Sequence, residues 1–83
     1  MTKEEDDVIT MLGYLLDSMR NSVESCNHST VLNVTTNLAV NIDRAHIRDE
    51  KSENFLIKLK DIDKKMINLK KTFADKCECK RKP

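Results

Sequence analysis

Cys26, His28, Cys77 and Cys79 are the residues of this chain best equipped for chemistry, arranged as Cys-x-His and Cys-x-Cys. Three thiolates and an imidazole suit a tetrahedral zinc ion, provided that the chain folds back to bring its two ends together. The spacing argues against it, because one intervening residue is tighter than the roughly two to four usual in structural zinc sites. No metal is therefore expected, and the sequence leaves open whether the three cysteines are free or bonded. The other imidazole, His46, lies one helical turn from Asp43, Asp49 and Glu50, residue types that orient a general base. A helix surface offers such a base no water-free pocket, so a solvated polar patch is the simpler reading. There is no G-x-x-x-x-G-K, no G-x-G-x-x-G and no HExxH, and the single glycine cannot form a phosphate cradle. Neither an enzyme nor a cofactor is expected.

Lysines are the next candidates, from Lys58, Lys60, Lys64 and Lys65 through Lys70 and Lys71 to Lys76 and the terminal KRKP. Such a run can meet phosphates, but Asp61, Asp63 and Asp75 interrupt it and it has almost no arginine to read base edges. Lysines along an apolar stripe are what any soluble helix carries, so nucleic acid is not the expected partner. The tail resembles a short nuclear-localisation cluster, and cysteines beside basic residues can accept a lipid near an acidic membrane; neither signal is specific. Asn27-His28-Ser29 and Asn33-Val34-Thr35 match the glycosylation sequon and read as chance matches in an Asn-rich region.

What must position these residues is helical. The 83 residues include one Gly, one Pro, no Trp and three aromatics, with 39% hydrophobic and 35% charged, which excludes a sheet protein rich in turns. A chain this short supports one domain at most, and its core needs very good packing, a partner, a metal or a disulfide. Residues 1 to 50 carry four Lys/Arg against nine Asp/Glu, and residues 51 to 83 carry eleven against five, giving halves of −5 and +6. An acidic half and a basic half suit antiparallel pairing or two different partners. The apolar run VITMLGYLL is bounded by KEEDD and Asp17, and it fits neither a secretory signal nor a membrane span; a cytoplasmic or nuclear chain is expected.

A first helix is read over residues 4 to 26, with Val8, Leu12, Leu15, Met19 and Cys26 on one face, widened by Ile9, Leu16 and Val23. Thr2 caps it, and Glu4 to Asp7 complement its dipole. Gly13 within it suggests a close approach by a neighbour. A turn follows at 27 to 29, where Asn27 suits the left-handed conformation and Ser29 or Thr30 suits a cap. From there a heptad frame runs through Val31, Val34, Leu38, Asn41, Ala45, Arg48, Ser52, Phe55, Leu59, Ile62, Met66, Leu69 and Phe73.

The fold class is all-α, expected as a helical hairpin whose second helix covers residues 30 to 77 as a coiled-coil strand, about 70 Å long at 1.5 Å per residue. The alternative is a compact three-helix bundle with a break at 49 to 54, where RDEKSEN has no apolar residue. Residues 1 to 77 form the single domain and 78 to 83 a basic tail. The expected function is that of a non-enzymatic structural or adaptor subunit, joining a homo- or hetero-oligomer through this seam. Its protein interface would consist of Val31, Val34, Leu38, Asn41, Ala45, Phe55, Leu59, Ile62, Met66, Leu69 and Phe73. The alternative function is a small regulatory or virus-type inhibitor that lays an amphipathic helix on one target. In the hairpin Cys26 and Cys77 never meet; an intrachain bond between them would mark the three-helix bundle.

Overall fold

Thr2 starts the first helix by a reciprocal cap: the Glu5 N–H donates to its hydroxyl at 3.2 Å, and its own N–H donates to the Glu5 carboxylate at 2.9 Å. Helix α1 runs Lys3–Glu24, α2 runs His28–His46, and α3 runs Glu53–Phe73, continued by a π-helical turn Ala74–Glu78. This is a computed structural model, and it describes residues 2–47 and 51–78.

The all-α class holds, and the arrangement is the three-helix one. The long second helix is corrected: α2 ends with Ile47 as its cap, and Ser52 opens a new helix by accepting the Phe55 N–H at 3.4 Å. The physical reason is the apolar gap in RDEKSEN, since a helix without a face to bury gains little from continuing. Arg48, Asp49 and Glu50, part of the expected break, lie outside the described residues.

The turn between α1 and α2 differs in detail from the sequence reading. Cys26, rather than Asn27, takes the left-handed conformation, with φ 52°. Its N–H donates to the Val23 carbonyl at 3.1 Å, and the Asn27 N–H to that of Ser22 at 3.0 Å, which closes the helix end. Asn27 is instead the cap of α2, accepting the Thr30 N–H at 3.3 Å. Gly13 has no neighbour that a Cβ would meet within 4 Å, so the close approach expected there is not made.

The helices form an elongated bundle of 49 × 16 × 15 Å in which α1 packs along both other helices, and α2 and α3 meet far less. The core is filled by Leu12, Leu16, Met19 and Val23 from α1, Val31, Leu38, Ile42 and Ala45 from α2, and Phe55, Leu59, Ile62, Met66 and Phe73 from α3. On α2 the buried positions step by seven, four and three residues. Val31, Leu38 and Ala45 keep the heptad spacing, and Ile42, four residues after Leu38 and three before Ala45, enters the core where the heptad frame placed Asn41. Asn41 stays half-buried at the rim and bonds the Asn37 carbonyl at 2.7 Å.

Both ends of α1 are tied to α3, which makes these two helices parallel and α2 antiparallel to them. At one end the Glu5 carboxylate, almost fully buried, accepts the Ser52 N–H at 2.9 Å and the Ser52 hydroxyl at 3.1 Å, besides the Thr2 N–H. One carboxylate thereby serves the starts of two helices, where the dipoles favour negative charge. These bonds, first that from the Ser52 backbone and then that from Thr2, outweigh the opposing effect of burial and lower the Glu5 pKa from 4.5 to about 2.

The depressed value fixes the sign of a pH effect. Between about 4.5 and about 2 the unfolded chain binds the proton and the folded chain does not, so the contribution of Glu5 is complete above this window and vanishes through it on acidification. Glu5→Gln should therefore lower the denaturation midpoint at neutral pH, and the gap to the natural chain should close across the same window. A gap that stays constant down to the bottom of the window would show that the Glu5 charge is not what joins the two helix starts.

Candidate functional site

Among the candidates for chemistry, the bundle brings together Cys26, His28 and Cys77, at the end opposite Glu5. Cys26 and Cys77 form a disulfide with a Cα–Cα distance of 5.6 Å, across 51 positions of sequence. This corrects the hairpin expectation that Cys26 and Cys77 never meet, and it is the bond that marks the three-helix bundle. It also removes two of the thiolates from any zinc site, and no group of three His, Cys, Asp or Glu among the described residues could hold a metal. Cys79 lies outside the described residues. His46 and Asp43 are both exposed on the last turns of α2, and Asp49 and Glu50 lie outside the described residues.

The seam residues expected as an interface are placed in the chain's own core. Phe55, Leu59, Ile62, Met66, Phe73, Val31, Leu38 and Ala45 are buried, while Val34 and Leu69 are partly buried against the same cluster. A folded monomer does not present these surfaces to a partner. The physical reason is the fold-back at Ser52: the 3.5-residue seam faces α1 and α2 of the same chain.

What remains open lies between α2 and α3, the pair that meets least. A groove of about 360 Å³ is lined by His28, Val31, Leu32 and Thr35 from α2 and by Lys70 and Phe73 from α3. The His28 and Phe73 rings close one end of it, edge to face, with centroids 4.8 Å apart. Leu32 is 68% exposed beside it. On α3, Ile67 and Leu56 share the face of Lys70 at helical spacing and are also exposed. The buried Thr35 hydroxyl has no hydrogen-bond partner among the described residues.

Lysines flank this end of the groove. Lys70 and Lys71 occupy the last turn of α3, and α2 begins here with no acidic residue in its first turn, whereas α1 and α3 each carry acids in theirs. Elsewhere the lysines serve local roles: Lys65 pairs with Asp61 at 3.1 Å, and Lys76 reaches the Glu24 carbonyl at 3.0 Å, joining α3 to the end of α1. A smaller groove between α1 and α2, lined by Val8, Met11, Asn41, Arg44 and Ala45, has about 230 Å³.

The heptad frame touches this groove only at Val31 and Phe73; its other walls, His28, Leu32, Thr35 and Lys70, lie beside the seam. Leu32, an exposed apolar residue outside the frame, was a signal for it. The disulfide also had a signal, since Cys26 and Cys77 stand at the two places that meet if the chain folds back. No helix among the described residues is long and apolar enough to cross a membrane. Compared with known protein families, curated proteins and solved structures, the chain matches none.

Proposed function

We propose that this chain is a non-enzymatic adaptor, a stapled three-helix module that binds an acidic amphipathic helix of a partner protein in the groove between α2 and α3. The observation that carries the reading is the open apolar groove with its cationic end, on a bundle whose seam is already buried within one chain. A helix laid along two others makes a fourth member of the bundle, with apolar anchors at i, i+3, i+4 and i+7. Leu32, Ile67 and Phe73 offer it apolar contact. Lys70, Lys71 and the uncompensated start of α2 favour carboxylates along its edge.

A synthetic amphipathic helix with leucines on one face, glutamates along its edges and a fluorescein label is the probe. It should bind, and the same peptide with lysines in place of the glutamates should not. Leu32→Asp and Lys70→Glu should each weaken binding about tenfold or more, the loss of roughly 1.4 kcal/mol. Equal binding of both peptides, or no response to either substitution, would retire the groove as the partner site.

A second reading, the small regulatory or inhibitor protein, is favoured by the closed core and the disulfide, which suit a monomer folded before it meets its target. Light scattering and melting at several concentrations separate it from a homo-oligomeric subunit. A monomer whose midpoint does not move with concentration leaves a hetero-partner or a single target.

A further inference from the structure

The groove and the disulfide share one end of the bundle. Cys26 stands two residues before His28, and Cys77 four residues after Phe73, so the covalent bond joins the two segments that carry the rings closing the groove. Each cysteine also sits in an uncommon backbone conformation. Cys26 has φ 52°, which a residue with a side chain adopts mostly where its surroundings hold it, and Cys77 lies in the π-helical turn Ala74–Glu78. The bond connects these two conformations, of which the first is also set by the hydrogen bonds that close α1.

We propose that Cys26–Cys77 is a redox switch for the groove: the disulfide holds His28 against Phe73 and keeps the closed end formed, and reduction lets the two walls part. For what the groove binds, this rests on the adaptor reading above. The two residues are unequally exposed, Cys77 being 3% exposed and Cys26 half-buried, so attack is assigned to Cys26, the more open side of the bond. A thiolate of a dithiol reductant bonds to Cys26 Sγ as the Cys26–Cys77 bond breaks, and the electron pair leaves on Cys77 Sγ, which takes up a proton. The second thiol of the reductant then attacks its own bonded sulfur, releasing Cys26 as a thiol and leaving the reductant as a cyclic disulfide. The protein gains two electrons and two protons, and the dithiol loses the same. In a cytoplasmic setting, the compartment expected from the sequence, disulfides are characteristically transient and redox-sensing, which is the behaviour required.

The test follows the full chain, oxidised and reduced, in the cold by three readouts: the His28 ring proton resonances, which the edge contact with Phe73 displaces; far-ultraviolet circular dichroism; and affinity for the glutamate-edged peptide. On reduction the His28 resonances should move to the values of an unpacked imidazole and peptide affinity should fall at least tenfold, with helix content retained. Reoxidation should restore both. The double variant Cys26→Ser, Cys77→Ser should match the reduced chain in either buffer. Unchanged His28 resonances on reduction overturn the switch, and so does a loss of most helix content, which would make the bond a staple of the whole fold. If His28 responds and the peptide binds neither form, the switch stands and the partner reading fails.

Discussion

Leu59→Asp is expected to abolish folding of the isolated chain. Leu59 is fully buried within the cluster that joins all three helices, and the substitution both opens a cavity and places a carboxylate where no donor meets it. Losing a buried leucine costs about 2 to 5 kcal/mol, and an unpaired buried charge costs several more. A chain of 83 residues holds roughly 4 to 12 kcal/mol in all. Lys58→Asp, one residue earlier on the exposed surface, should shift the midpoint by less than about 0.5 kcal/mol. Urea denaturation followed by circular dichroism checks both variants. If Leu59→Asp gives a cooperative transition near that of the natural chain, Leu59 is not in the core of a self-contained bundle.

Loss of the disulfide should have the next largest effect. It closes a loop of 51 positions, and the loop-closure entropy taken from the unfolded chain corresponds to about 4 kcal/mol. For a domain of this size that amounts to a fall in melting temperature of roughly 15 to 30 °C. Reduced and oxidised samples melted side by side provide the measurement. Cys77 is the one residue of the disulfide within the buried cluster, with Cys26 packed against it, and the rest of that cluster, Leu12, Leu38, Phe55 and Leu59 included, comes from the three helices, which is why helices should persist in the cold after reduction. A melting temperature that does not respond to reduction would mean that the ends of α1 and α3 are held by other contacts, of which the Lys76–Glu24 bond is the first to examine.

The division of labour between sequence and tertiary structure can be seen residue by residue. Helical periodicity, the cap at Thr2 and the shortage of Gly, Pro and aromatics determined the all-α class and most of the core, because side chains four or three residues apart share a helix face whatever the helix packs against. The same pattern could not say whose core it was. Phe55 to Phe73 reads alike as a strand awaiting another chain and as the third helix of its own bundle, and RDEKSEN is compatible with a solvated helix or a turn. Tertiary structure decided between them through contacts far apart in sequence: Glu5 with Ser52 at one end, Cys26 with Cys77 at the other, each crossing about half the chain or more. It also placed Ile42 rather than Asn41 inside: each stands three or four residues from Leu38 and Ala45, and the apolar side chain takes the buried place. The groove was decided at this level alone. It exists because α1 packs along both other helices while α2 and α3 touch least, leaving Leu32 and Lys70 beside a gap that no single helix pattern contains.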